Sequence, residues 1–349
     1  KEGLCVVSVP HTTAALVITS FWDPRGLADL MDEIDRNIPT RVSYKHQDSP
    51  YDASGHVKSA MIGSSATLII HEGKLVLGSS QGLVFVEFDG PRPREFYVQV
   101  IEKPLATTIA DVDRIQRAVQ ENGVRAMVDL HNRWNPPFNT ARAAVEAGEI
   151  GRPLSAYIRL TDVKWVATDM LSWSAQSSIL WFLGSHSIDT LAWMFGSRVK
   201  RVYAVATRGV MDGLGVPTVD QYLTTLEFEN GCVAQMENGW ISPNGNPNVN
   251  DFKFSLLGEN GAIHINPSSH DLIQMYTDEK VTVPDVLVQN RVFGRVKGFS
   301  YESIRDFIDR LIDGEPFRVS LQDAADVTRV VLAIMESAKA RMPVDVNYG

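Results

Sequence analysis

Only two cysteines, Cys5 and Cys232, occur in the 349 residues, and neither has a second Cys or a His nearby at metal-ligand spacing. That excludes a disulfide framework and a zinc knuckle and points to a reducing cytoplasm. Long apolar runs are also missing. The stretches at 180–183 and 330–334 fall far short of the roughly 20 residues that cross a bilayer, so no membrane partner is expected. There is no basic run either: 42 acids outnumber 33 bases, for a formal net charge of −9, which argues against nucleic acid as a partner. Finally, no strand leads through a G-x-G-x-x-G turn into a helix. The clusters Gly78-Ser79-Ser80-Gln81-Gly82 and Gly213-Leu214-Gly215 have other spacings and other flanks. A dinucleotide pyrophosphate rests on such a turn, and its absence argues against tight binding of NAD or NADP by this chain alone.

What is present is a chain of 44% apolar composition, enough to bury the cores of two or three compact units. It starts at Lys1 rather than Met, with strand-like residues 4–9 following at once, so the start is expected to be a truncation. Residues 4–100 read as short β-branched strands with turns at Glu72-Gly73 and Asp89-Gly90. Helices are expected at 23–37, opened by Asp23-Pro24, and at 54–62. After Pro104 the texture becomes α/β: a helix at 108–121, a strand at 124–130 and a helix at 139–147 stopped by Gly148. A strand at 154–160 and a helix at 185–194 follow. Long strands come next, with Asn230-Gly231 and Asn260-Gly261 as hairpin turns in which both residues take positive φ, and helices at 301–312 and 322–339 close the chain. The fold class is α+β, ending in a large, mostly antiparallel sheet with flanking helices.

In the second part, four marks follow in order: Glu102-Lys103-Pro104-Leu105, Asn132-Arg133-Trp134-Asn135-Pro136, Gly148-Glu149-Ile150-Gly151 and Gly184-Ser185-His186-Ser187-Ile188-Asp189. With them residues 101–349 resemble the Gfo/Idh/MocA oxidoreductase family, entered partway through its dinucleotide domain. Oxidising a sugar alcohol requires a base for the hydroxyl proton while hydride leaves carbon, work suited to a Lys or His with a pKa near neutrality. The resemblance implies that Lys103 and His186 are catalytic, that Glu102, Lys103, Pro104 and Arg133 meet an NAD or NADP cofactor, and that Asp189 touches the substrate. It also implies that the sheet lines a sugar pocket and forms a homo-oligomer interface. Trp165, Trp173, Trp181, Tyr222 and Trp240 are candidates to stack on a sugar. Many family members carry an Asp four residues before the His, where this chain has Phe182; Asp189 and Asp162 are the carboxylates left to stand in.

The first hundred residues carry His11-Thr12-Thr13-Ala14-Ala15-Leu16, Asp23-Pro24, His46, Gly55-His56-Val57-Lys58-Ser59 and Glu87-Phe88-Asp89-Gly90-Pro91-Arg92-Pro93-Arg94. They resemble the YjbQ family, associated with secondary thiamine-phosphate synthase activity. From the residues alone, three histidines in a small unit could hold a divalent metal or grip a phosphate as donors. His46 and His56 are the metal candidates, His11 and Glu87 the catalytic ones. Thr12, Thr13, Arg92 and Arg94 would contact the substrate, arginine through planar donors matched to phosphate. Ser20-Phe21 stands where an acidic residue is common in the family.

The expected organisation is a YjbQ-like domain at 1–101, a remnant of a dinucleotide-binding domain at 102–150 and a substrate-binding and oligomerisation domain at 151–349. Three functions stay open. One is an enzyme acting on a phosphate ester at the N-terminal histidines, its second part binding sugar and holding the oligomer together. Another is an NAD(P)-dependent sugar or polyol oxidoreductase using Lys103 and His186. The third is a non-catalytic or misjoined fusion.

Overall fold

The computed structural model describes residues 3–20, 23–40, 43–46, 52–71, 74–92, 94, 97–101, 103–121, 125–269, 273, 275–276, 279, 281–282, 286–288, 290–293 and 295–349. The chain divides into two compact units, Lys1–Glu102 and Lys103–Gly349. Among the described residues no helix is long and apolar enough to cross a membrane.

Unit 1 runs β1 (Gly3–Ser8), β2 (Ala14–Ser20), α1 (Pro24–Asn37), α2 (Asp52–Ile62), β3 (Ser65–His71), β4 (Lys74–Leu75), β5 (Gln81–Glu87) and β6 (Tyr97–Ile101). An antiparallel sheet has the order β4-β3-β1-β6, and β2 pairs with β5 in a separate antiparallel ladder. Alternation along β2 explains the layering, because successive side chains point to opposite faces. Ala14 and Leu16 pack with Cys5, Val7, Val9 and Leu68, while Ala15 joins Val86 and Phe88 against Met31 of α1 and Ile62 of α2. Apolar residues on both faces of one strand thus bury it between a sheet and a helical layer. Helix α1 begins as its sequence demands, with Pro24 in the first turn and the Asp23 carboxylate accepting from the Arg25 N–H. The Glu72-Gly73 turn lies outside the described residues.

Unit 2 continues with α3 (Ile109–Glu121), α4 (Pro136–Glu146), β7 (Pro153–Val163), α5 (Ser185–Phe195), β8 (Val199–Thr207), α6 (Val210–Gly213), β9 (Gln221–Phe228), β10 (Val233–Ser242), β11 (Asn250–Gly258) and β12 (Ala262–Ile265). Two small hairpins follow, β13 (Met275–Tyr276) with β14 (Val281–Thr282) and β15 (Asn290–Val292) with β16 (Arg295–Lys297). Then come α7 (Phe299–Asp313), α8 (Leu321–Ala340) and β17 (Val344–Asp345). Seven strands form one sheet, β12-β11-β7-β10-β9-β8-β17, antiparallel except between β7 and β10. One face is buried: Ile158 and Leu160, Val202 and Ala204, Leu226, Met236, Phe252 and Phe254, with α5 packed on β7 and α8 on β8. Helix α8 opens with a reciprocal capping box between Ser320 and Asp323. The other face leaves Tyr203, Val205, Leu223, Val233 and Leu257 exposed.

Two local expectations are corrected. The apolar run at 124–130 reads as a strand, yet among the described residues 125–130 pair with no strand. They turn instead, the Leu130 N–H donating to the Val128 carbonyl at 2.9 Å. Met127, Val128 and Leu130 are buried, so the hydrophobic signal is genuine. A strand needs a neighbour for its backbone groups, and the described part of unit 2 places none beside this run. The hairpin turns also differ in detail. At Asn230-Gly231 only the glycine has positive φ, at 85°. Gly231 N–H donates to the Phe228 carbonyl at 3.0 Å, giving a three-residue loop closed by a left-handed glycine. The second hairpin turns on Glu259 and Asn260, Gly258 N–H donating to the Gly261 carbonyl at 2.8 Å, with no positive φ at Asn260 or Gly261.

Gly258 is required for a different reason. A Cβ built there would lie 2.2 Å from the Ile150 carbonyl oxygen, the same carbonyl that accepts from the Asn260 N–H at 2.9 Å. Gly258→Ala is expected to lower unfolding free energy by about 1–3 kcal/mol through overpacking, read from urea unfolding. Gly245→Ala, where nothing lies within 4 Å, serves as the control.

Candidate functional site

In unit 1 the first turn of α2 gathers the candidates. Asp52, Ala53, Ser54 and Gly55 are buried there, and the helix start, where backbone N–H groups lack partners, favours negative charge. Asp52 lies four residues before His56, hence on the same helix face. Its Oδ1 is 3.1 Å from His56 Nε2, and its Oδ2 is 3.0 Å from His46 Nε2. The three side chains each offer one donor atom within 4.8 Å of the others. His11 lies outside this group. His56 Nδ1 is 3.2 Å from the Thr12 carbonyl oxygen, which can only accept, so Nδ1 carries the proton in that bond. His56 Nε2 is thereby the nitrogen turned towards the Asp52 carboxylate.

The loop after β5 closes on the same helix start, since a Cβ at Gly55 would lie 3.1 Å from Thr13 Cβ and 3.6 Å from Asp89 Cβ. Arg94 donates through Nη2 to Glu87 Oε1 at 2.7 Å and to Thr13 Oγ1 at 2.6 Å, and through Nε to Glu87 Oε2. The Asp89 N–H donates to Glu87 Oε1 at 2.7 Å. Hydrogen bonding to Arg94 holds the Glu87 carboxyl below the usual carboxylate range. Arg92 is half-exposed and donates to the Asp89 carbonyl at 2.8 Å.

In unit 2 the Lys103–Pro104 bond is cis. Lys103 Nζ donates to the Phe182 carbonyl and lies 4.3 Å from the centre of the Phe182 ring, a cation–π contact. Trp173 meets that ring edge-on at 5.6 Å. Phe182 belongs to a π-helical turn, Leu180–Gly184, that runs straight into α5 and delivers His186 one turn later. His186 is buried and its Nδ1 has no partner. Burial, then the charges of His131 and Lys103, push its pKa well below the imidazole range, which leaves a neutral ring. His131 packs on it at 4.5 Å between ring centres and is oriented by Asp129 at 3.2 Å. Asp162, near the end of β7, has one oxygen bonded by Asn250 and the other, Oδ2, buried without a donor. Burial raises its pKa to about 7 against the opposing pull of Lys103 and Asn250.

Arg133 and Asp189 are joined to each other. Arg133 Nη2 donates to Asp189 Oδ1 at 2.6 Å and Nε to Oδ2 at 3.1 Å, while Nη1 donates to the Arg318 carbonyl at 2.6 Å. Burial works against the guanidinium charge, but the carboxylates of Asp189 and Asp323 hold it. Glu102 lies outside the described residues. Of the aromatic candidates, Trp240 is fully buried, its Nε1–H donating to the Val219 carbonyl at 2.9 Å, and Tyr222 and Trp181 are nearly so. Asp52, His131, Asn238 and Asn250 escaped sequence reasoning. Of these only Asp52 left a signal, a carboxylate at i−4 from His56.

These features define a two-unit α+β chain: a small domain with a His–Asp–His cluster at a helix start, and a larger sheet-backed domain with Lys103 held on Phe182 and a buried His186. A family model described as UPF0047 protein YjbQ-like matches residues 1–103, and one for the GFO/IDH/MocA C-terminal domain matches residues 138–264. A UPF0047 protein of Methanocaldococcus jannaschii is 45% identical over 101 residues, 29% of this chain and 72% of that protein. A scyllo-inositol 2-dehydrogenase (NAD(+)) of Bacillus subtilis is 25% identical over 232 residues, 66% of this chain and 60% of the enzyme. The solved scyllo-inositol dehydrogenase from Lactobacillus casei with bound NAD(H) and scyllo-inositol superposes with a TM-score of 0.57 at 17% identity, covering 70% of this chain and 72% of that one. The chain belongs to the UPF0047 YjbQ-like family through its first unit, and fuses to it a Gfo/Idh/MocA sugar oxidoreductase-like domain.

The buried pair yields a stability prediction. Arg133→Met strands the Asp189 carboxylate in the interior and is expected to cost about 3–5 kcal/mol. Arg133→Met with Asp189→Leu should recover a large part of that loss in chemical denaturation.

Proposed function

We propose that unit 1 is an enzyme domain acting on a phosphate ester at the start of α2, with His46, Asp52 and His56 holding a divalent metal. The observation that carries this is the pair of imidazole nitrogens facing the two oxygens of one carboxylate at 3.0 and 3.1 Å, with the His56 tautomer fixed from behind by the Thr12 carbonyl. Two imidazole nitrogens and a carboxylate oxygen are a donor set suited to zinc or a similar ion. Such an ion, when bound, polarises a phosphoryl oxygen. The chain's own groups supply the rest. The helix start and the half-exposed Arg92 attract the anionic ester, and the Glu87–Arg94–Thr13 network keeps the loop in place over the first turn. His11, beside Thr12, is the group proposed to move a proton.

Calorimetric titration of the full chain with Zn²⁺ or Mn²⁺ is expected to give one site per chain. Asp52→Asn should weaken it about 10- to 100-fold, and His56→Ala should abolish it together with release of phosphate from a panel of monoesters. Unchanged metal affinity in both variants would refute the assignment.

A second reading is favoured by a specific observation in unit 2. His186 Nδ1, Asp162 Oδ2 and Asn238 Oδ1 are buried polar atoms without partners, and buried polar atoms are rarely left so unless something else satisfies them. On this reading unit 2 takes a sugar or polyol, with Lys103 and His186 as acid and base and NAD or NADP as hydride carrier. Residues 102–150 are then the remnant of the dinucleotide domain, and the exposed apolar sheet face holds a homo-oligomer together. Titration with NADH and NADPH, followed by cofactor fluorescence with His186→Ala as control, decides it. The sequence has no glycine-rich turn whose backbone N–H groups would hold the pyrophosphate. Wild-type affinity is therefore expected to be no tighter than about 0.1–1 mM. No saturation at millimolar cofactor leaves unit 2 a binding module.

A further inference from the structure

We infer that Thr13 and Arg94 form a two-donor seat for a phosphoryl group, and that Glu87 is the positioning carboxylate that fixes the guanidinium there instead of a base. This rests on the first reading above and deepens it. A guanidinium carries five N–H donors in one plane. Glu87 takes one from each of Nε and Nη2, the latter at 2.7 Å. The other Nη2 hydrogen goes to Thr13 Oγ1 at 2.6 Å. Those bonds hold the group still, and among the described residues the N–H groups of Nη1 meet no acceptor. Thr13 is left in the same condition. Its Oγ1 accepts from Arg94, so the single hydroxyl proton points elsewhere, and among the described residues nothing accepts it. Thr13 is only 5% exposed, and a buried donor without an acceptor calls for one.

The backbone places this pair beside the histidine cluster. Thr13 follows Thr12, whose carbonyl holds His56 Nδ1 at 3.2 Å. Its own carbonyl accepts from the Phe88 N–H at 3.0 Å, and Ala14 faces Glu87 across the β2–β5 ladder, so strand pairing itself brings Thr13 to the carboxylate. Gly55 lets the first turn of α2 close on Thr13, where a Cβ would stand 3.1 Å from the threonine. Glu87 is poorly suited to take a proton. It accepts from Arg94 through both oxygens and from the Asp89 N–H at 2.7 Å, and hydrogen bonding to Arg94 holds its carboxyl below the usual range, which makes it a weak base. Because Glu87 balances the guanidinium, the pair supplies direction more than net charge, and attraction for an anion comes from the start of α2. A phosphoryl group, with several acceptor oxygens and charge to match, suits two neighbouring donors of this kind.

Inorganic phosphate is the probe, titrated calorimetrically into the full chain with Mn²⁺ present. Thr13→Val keeps the side-chain shape and removes the hydroxyl. It is expected to weaken phosphate binding about tenfold, as for loss of one hydrogen bond to a charged group, while Thr13→Ser binds as the wild type does and Mn²⁺ affinity is unchanged in both. Arg94→Lys, a point charge without the planar fork, is expected to weaken phosphate at least as much. The part played by Glu87 is read from the Arg94 side-chain ¹⁵N resonances. Phosphate is expected to shift the Nη signals in the wild type, and that shift is expected to vanish in Glu87→Gln, where the guanidinium is no longer held. Wild-type phosphate affinity in Thr13→Val, or Arg94 signals unmoved by phosphate in the wild type, overturns the seat. A full Nη shift in Glu87→Gln overturns the positioning role. Should Thr13→Val fail to fold, the wild-type Arg94 signals decide. A chain that shows the expected Thr13 dependence but binds no Mn²⁺ supports the seat and removes the metal reading, whereas no phosphate binding up to about 10 mM removes the seat.

Discussion

Arg133 and Asp189 meet in the interior of unit 2 at 2.6 and 3.1 Å, and much of the unit is organised around that ion pair. Arg133 sits in the short 3₁₀ turn at His131–Trp134, Asp189 in α5, and the same guanidinium reaches the Arg318 carbonyl and the Asp323 carboxylate at the entry to α8. Three segments distant in sequence are fixed against one charged group. Removing two ions from water is costly and is offset only when geometry is good and every donor is used. Here Nε, Nη1 and Nη2 are all engaged. One consequence is that α5 has a fixed position, and with it His186 and the turn carrying Phe182. Another is that both oxygens of Asp189 are engaged by Arg133.

The two units treat their polar groups differently. In unit 1 the carboxylate of Glu87, at the end of β5, is matched to a guanidinium and a backbone N–H, while the cluster at the start of α2 brings two imidazoles to one carboxylate. In unit 2 the buried cluster around Asp162, Asn238 and His186 holds acceptor atoms without donors, beside a lysine whose ammonium is spread over a ring face and a carbonyl. Its need is for hydroxyl or N–H donors. One fused chain thus presents two polar clusters that differ in kind: a carboxylate flanked by two imidazoles in the first unit, and buried acceptor atoms without donors in the second.

The sequence by itself determined a good deal. Period-2 alternation and capping residues placed most helices and strands within a few residues, because those signals are local: Asp23-Pro24 starts α1, and Gly196, at φ 59°, ends α5. The ordered motifs around His11 and His56, and around Lys103 and His186, identified both parts of the fusion, and the absent glycine-rich turn bears on cofactor binding without any coordinates. Tertiary structure alone decided what depends on partners. Residues 125–130 are apolar enough for a strand but have no described neighbour to pair with, so burial came without a ladder. Asp52 became the centre of the histidine cluster only when His46 was folded back to it. That Asp189 is paired with Arg133 could not be read from spacing, since it turns on which carboxylate a distant arginine reaches: sequence records a side chain's chemistry, whereas the fold decides whether its charge is already answered.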